Sequence, residues 1–200
     1  MQSRLRKLLA KAEDGDVDAQ CKLAHAILGR GRPSDYRKAA PWLRRAARAD
    51  NAWASYHLGL MYDEGLGVRR DRGAAILWYE RAAHQGYDSA QLNLGIILAN
   101  LPGPSRDVRR AVKLYRLAAR QGNRNAAYNL GLYYSRGQGV PRSRVMAKRW
   151  YQIAAQHGDR DAARAIRAID RVSNSPLQRV HSRVTPLAGG AQASRHAAHR

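Results

Sequence analysis

The sequence predicts an all-α fold, a right-handed α/α solenoid of helix–turn–helix repeats of about 36 residues, and three observations carry that prediction. One phrase recurs, as LWYERAAHQG at 77–86, KLYRLAARQG at 113–122 and RWYQIAAQHG at 149–158. The residues that close it are evenly spaced: Gly15, Gly86, Gly122 and Gly158, with Asp50 where a fifth glycine is due, at intervals of 35, 36, 36 and 36. Between them, apolar residues recur at three–four spacing, the period of a helix with one buried face. Self-similarity at roughly 20 to 50 residues is the signature of a solenoid or array.

The elements follow in order. Residues 1–16, closed by Gly15, read as a lone second helix of a repeat, a B helix. Repeat one spans 19–53, is one residue short before Gly29, and ends on Asp50 instead of glycine. Repeat two, 54–89, shows the unit most clearly. Ala54, Leu58 and the pair Met61–Tyr62 form the apolar face of the first, or A, helix, and Gly65-Leu66-Gly67 permits a turn. Asp71 stands at an N-cap position ahead of Ala75, Trp78, Tyr79, Ala82 and Ala83, which make the B helix. Gly86 stops that helix and Asp88 opens the next. Repeat three, 90–125, places Leu101-Pro102-Gly103-Pro104 at the turn and Leu114 in the Trp position. Repeat four, 126–161, restores Gly137-Gln138-Gly139-Val140 and Trp150-Tyr151, and residues 162–171 read as a lone A helix capping the end.

Small residues explain why the phrase recurs. Gly59 and the Ala82–Ala83 pair leave no bulk at the hairpin crossing, so the axes can approach toward ~8 Å, with Trp78 and Tyr79 filling the space to the side. A single hairpin cannot cover both its apolar faces, so each copy is the surface on which the next packs.

The stretch LGLMYDEGLGVRRDRGAAILWYERAAHQG resembles the Sel-one-like repeat (SLR) family, a tetratricopeptide-like α-solenoid, in its succession of LG, Y, GxGV, D, A, WY and AA before QG. The resemblance covers residues 1–171. It implies a non-enzymatic scaffold or adaptor that holds a partner protein or peptide, and it implies that the first place to look is the groove. There Lys22, His57, Asn93 and Asn129 are equivalent and would stack as a ladder that contacts a bound peptide or bonds a neighbouring helix. Tyr56, Leu92 and Tyr128, with Leu60, Ile96 and Leu132, are expected as groove floor or as core between repeats.

The chain carries 36 Lys and Arg against 15 Asp and Glu, a formal charge of +21, and 30 of the 36 are Arg. The excess is uneven: residues 1–100 hold 16 positive and 11 negative side chains, whereas 101–170 hold 15 and 4. Arg109, Lys113, Arg116 and Arg120 fall along one stripe of a B helix, and Arg142, Arg144, Lys148 and Arg149 gather near the start of the next. Such a stripe is ordinarily a solvated face. Its alternative function is an electrostatic surface for nucleic acid or another acidic partner. No helix-turn-helix spacing or aromatic RNA platform accompanies it. Residues 172–200, without a carboxylate or a helical period, are expected to be a disordered basic tail, idle or serving as an arm for an acidic partner.

Chemistry is not expected. The GLGV at 65–68 lies between two helices, not between a strand and a helix, and so is a turn and not a phosphate loop. His25, His57, His84 and His157 fall in different repeats, a single Cys21 allows no internal disulfide, and no metal or cofactor set is suggested. With no signal-like start and no run of ~20 apolar residues, a soluble, cytoplasmic protein is expected.

Overall fold

The computed structural model describes residues 2–29, 32–103 and 106–173. Among them lie ten α-helices and no strand: α1 (Gln2–Glu13), α2 (Val17–Leu28), α3 (Pro33–Arg48), α4 (Ala52–Glu64), α5 (Arg72–His84), α6 (Asp88–Asn100), α7 (Val108–Arg120), α8 (Arg124–Arg136), α9 (Arg144–Gln156) and α10 (Arg160–Ser173). Even-numbered helices are the A helices and odd-numbered ones the B helices. Each helix packs on the one before and the one after it in the chain. The last helix runs to Ser173, so positions 172 and 173 belong to it and not to the expected tail; the rest of that tail lies outside the described residues.

The starts and stops obey local chemistry. Asp16, Asn51, Asn123 and Asp159 each accept a hydrogen bond from the backbone N–H three residues on, at the head of four A helices. Tyr87 occupies this position before α6 and provides no such cap; its ring lies 4.9 Å from that of Tyr56 instead. At the B helices Asp71, Asp107 and Ser143 cap in the same way. Repeat one differs, because Pro33 starts α3 early and leaves Asp35 inside the helix, buried and bonded to Arg32 at 3.0 Å. The Arg32 guanidinium holds the Asp35 carboxyl below its ordinary value. The B-to-A turn needs a left-handed residue: Gly86, Gly122 and Gly158 have φ of 86°, 88° and 84°. Asp50 fills that role at φ 57°, the non-glycine choice that a short polar side chain tolerates.

The hairpin crossing is tighter than expected, and the aromatic is not to its side. A Cβ built on Gly59 would lie 2.5 Å from Cδ1 of Tyr79; Gly95 and Gly131 meet Tyr115 and Tyr151 at 2.6 and 2.5 Å. The tyrosine ring therefore lies directly on the bare glycine. Tyr79 and Tyr115 are fully buried, and removing a Phe-sized ring from water is favourable by roughly 1.5–3 kcal/mol. Their hydroxyls find partners in Asn93 and Tyr133. In repeat one the pair becomes Ala24 and Leu43, both fully buried, a larger floor beneath a smaller side chain.

Between repeats, buried glutamines bridge successive helices. Gln91 Nε2 donates to the Ala83 carbonyl at 3.2 Å, and Gln20 Nε2 donates to that of Ala12 at 3.1 Å. Gln121 reaches Gln91 Oε1 at 3.0 Å and the Gly86 carbonyl at 2.8 Å. The apolar core runs alongside, from α2 to α5 and from α5 to α10, as a stack of mostly Ala, Leu and Tyr.

Candidate interaction surface

The A helices present one register of side chains along the stack. At spacings of four and seven, α2 offers Asp18, Lys22 and His25; α4 offers Trp53, His57 and Leu60; α6 offers Ser89, Asn93 and Ile96; and α8 offers Asn125, Asn129 and Leu132. These residues share a helix face. Contacts between neighbouring A helices tie the rows together: His25 lies edge-on to Trp53 at 6.0 Å, and Asn123 Nδ2 donates to Asp88 at 2.7 Å. Trp53, His57, Leu60, Asn93, Asn129 and Leu132 are half-buried, whereas Ile96 is 40% exposed. The surface is continuous, neither fully packed nor fully solvated.

The four rungs of the ladder behave differently. Lys22 is exposed and paired with Asp18. His57 packs against Trp53 at a tilt, with ring centroids 4.2 Å apart, and meets Tyr56 edge-on at 5.2 Å. Burial, and secondarily the nearby His25, lower its imidazole to about 4, so it is neutral at physiological pH. Asn93 donates its amide to the Tyr79 hydroxyl at 3.2 Å, across the repeat boundary. Asn129 is half-buried at the equivalent place on α8. Tyr56 and Tyr128 turn toward the B helix of their own hairpin, 5.9 and 5.5 Å from Tyr79 and Tyr151, and Leu92 is buried. Tyr56 also meets Tyr87 at the repeat boundary, so it is shared between its own hairpin and the next.

A grouping not anticipated is the run His25, Trp53, His57. The histidines fall in different repeats, but the 35-residue register of repeat one places His25 in the row of Leu60, Ile96 and Leu132. The four-residue step from Trp53 to His57 puts both on one face. Those two spacings were the signal.

The basic residues fall into two groups, exposed and engaged within the fold. Arg109, Lys113 and Arg120 are exposed on α7, but Arg116 leaves the stripe: it is half-buried, donates to the Tyr134 hydroxyl at 2.5 Å and lies over that ring at 5.8 Å. Near α9, Lys148 pairs with Asp170 of α10 at 2.5 Å and Arg142 Nε donates to the Ser135 carbonyl at 3.1 Å, while Arg144 and Arg149 are exposed. Among the described residues no group of His, Cys, Asp and Glu could hold a metal ion, and no helix is long and apolar enough to cross a membrane.

Comparison with known sequences and structures settles the frame. The Sel1 repeat profile matches residues 17–51, 54–87, 88–123 and 124–159. The chain belongs to the Sel1 repeat family. Its segments begin within two residues of α2, α4, α6 and α8, so each is one A–B hairpin. A protective antigen present in uropathogenic Escherichia coli strains, displaying an SLR fold, is 36% identical with a TM-score of 0.79 over 84% of this chain and 36% of its own. A Sel1 repeat protein from Oxalobacter formigenes is 31% identical with a TM-score of 0.72, over 83% and 48%. This chain thus spans between about a third and a half of the length of those two proteins. Helicobacter pylori cysteine rich protein B, at 19% identity and a TM-score of 0.52 over 66% of this chain and 94% of its own, shares the fold. No curated protein matches the sequence.

Proposed function

We propose that this Sel1 solenoid is a non-enzymatic interaction scaffold that holds an extended segment of a partner protein along its A-helix face. Sel1 repeat proteins are generally protein–protein interaction scaffolds. The observation that carries the reading for this chain is the half-buried row of His57, Asn93 and Asn129 beside Leu60, Ile96 and Leu132. Apolar positions alternate there with amide and imidazole groups at the repeat interval. An extended segment laid across successive A helices would meet an apolar contact and a hydrogen-bonding group at each. Such pairing of apolar anchors with a few placed polar groups is what peptide-binding grooves supply.

The alternative, an electrostatic surface for nucleic acid, draws on Arg109, Lys113 and Arg120 together with Arg144 and Arg149, because Arg116 and Lys148 are engaged within the fold. Only the Lys148 charge is neutralised, by Asp170; Arg116 keeps its charge, because its partner is a neutral hydroxyl, but it is held within the fold. Affinity for a polyanion would be salt-dependent in proportion to the exposed charges.

The test is a selection of displayed peptides on the immobilised chain, repeated on Asn93→Ala/Asn129→Ala. Peptides enriched by the parent and weakened about fivefold or more by the double variant, with helicity intact, are expected. Enrichment that is identical on both proteins, or a loss of helicity that accompanies the loss of binding, contradicts the role of this row.

A further inference from the structure

The turn between α4 and α5, residues 65–71, is held at more points than a connector requires. Gly65 is left-handed at φ 74°, and both Gly65 and Leu66 donate their amides to the Met61 carbonyl. Gly67 presses on α3, where a Cβ would sit 2.6 Å from the Arg37 nitrogen. The Asp71 amide donates to the Tyr62 carbonyl at 2.9 Å, and Arg70 Nε donates to the Asp63 carbonyl at 2.7 Å. The turn is pinned to two helices.

This pinned turn, with Arg44 of α3, borders an open cleft of about 740 Å³ lined by Arg44, Tyr62, Val68, Arg69, Arg70 and Arg72, with Asp71 at its edge capping α5. Four guanidiniums and one carboxylate leave a local excess of three positive charges. Among the described residues none of the four arginines forms an ion pair, although Arg44 is half-buried. The corresponding turn two repeats on, 137–143, has different chemistry. Pro141 stands in the position of Arg69 and Ser143 in that of Asp71. Arg116, the counterpart of Arg44, is tied to the hydroxyl of Tyr134, whereas Arg44 makes no such bond to Tyr62. That turn carries the same excess, from Arg116, Arg142 and Arg144 without a carboxylate, so what sets this cleft apart is the fourth guanidinium at Arg69 and an Arg44 not tied to the tyrosine hydroxyl.

We propose that this cleft binds a phosphate monoester, with the phosphate held by Arg44, Arg69 and Arg72 and the organic group against Tyr62 and Val68. A monoester carries about −1.5 to −2 at pH 7, closer to the local excess than a single carboxylate. The planar guanidinium fork matches its oxygens. The volume lies within the ~300–1,000 Å³ of small-molecule pockets, which exceeds what a bare phosphate fills. Because the turn backbone is fixed beforehand, binding has only the arginine side chains to order.

Titration calorimetry on the full chain at physiological salt tests this, with phenyl phosphate, inorganic phosphate and a phosphotyrosine pentapeptide as probes. Phenyl phosphate is expected to bind more tightly than inorganic phosphate. It should weaken about tenfold in Arg69→Gln/Arg72→Gln, and less than about twofold in the charge-matched control Arg109→Gln/Arg120→Gln. Both pairs are exposed, and unchanged melting confirms the fold. Adding Arg44→Gln should deepen the loss. If the pentapeptide binds as well as phenyl phosphate, the natural source is a phosphorylated segment; if it binds more weakly, a small ester. No binding of phenyl phosphate, equal weakening by both pairs, or equal affinity for inorganic phosphate overturns the proposal.

Discussion

The half of the A-helix face built by α2 and α4 is aromatic, and the half built by α6 and α8 is lined by amides. In the first half His25 meets Trp53 and Trp53 meets His57, whereas in the second Ser89 and Asn125 stand in place of Trp53, Asn93 and Asn129 in place of His57, and Ile96 and Leu132 in place of His25. Yet the frame beneath α4, α6 and α8 is the same, with Tyr79, Tyr115 and Tyr151 on Gly59, Gly95 and Gly131, and only repeat one departs from it, with Ala24 and Leu43 in those places. The repeat specifies how hairpins pack and leaves the face free to vary. An aromatic half can supply most of the contact area to a bound segment and an amide half its orientation.

The largest expected effect separates frame from face. Gly59→Leu places a branched side chain where even a Cβ meets the Tyr79 ring at 2.5 Å, so it should destabilise by ~1 to 3 kcal/mol or more. Asn125→Leu, on the exposed face, should stay within ~0.5 kcal/mol. Thermal melts of both variants measure the difference, and an unchanged midpoint for Gly59→Leu would contradict the crossing described here.

A smaller effect converts one half of the face toward the other. The folded His57 imidazole is lowered to about 4 from an ordinary 6.5. The unfolded chain therefore takes up a proton between those values that the folded chain refuses. Stability from this group is complete above about pH 6.5 and is lost as pH falls toward 4. His57→Asn, which installs the residue found at 93 and 129, should flatten the fall of the melting midpoint across that window. A slope equal to that of the parent would show that another group titrates there.

The repeat, the helix order and the caps were legible because they rest on local chemistry: Gly86, Gly122 and Gly158 at left-handed positions, Asp71 at an N-cap, alanine pairs at helical spacing. Asp50 was visible as a missing glycine, and its φ of 57° explains how the turn survives. What the sequence did not disclose depends on side-chain direction across helices. Gly59 and Tyr79 are both plain in the sequence, but that one lies on the other follows from how α4 crosses α5. Arg116 shares a helical stripe with Lys113 and Arg120, yet the Tyr134 hydroxyl across the repeat boundary draws it away. The early start of α3 follows from Pro33, which leaves Asp35 within the first turn of the helix and not at its cap. The aromatic run of His25, Trp53 and His57 needed the one-residue deletion of repeat one to be carried through before its rows aligned.

The most direct test of the scaffold reading is the affinity of one selected peptide for Trp53→Ala and for Asn129→Ala, each checked for an unchanged helical spectrum. The aromatic half is expected to carry the anchor, so Trp53→Ala should weaken binding by about tenfold or more and Asn129→Ala by about threefold. Equal affinity for the parent and both variants would place the bound segment elsewhere on the solenoid and contradict the account.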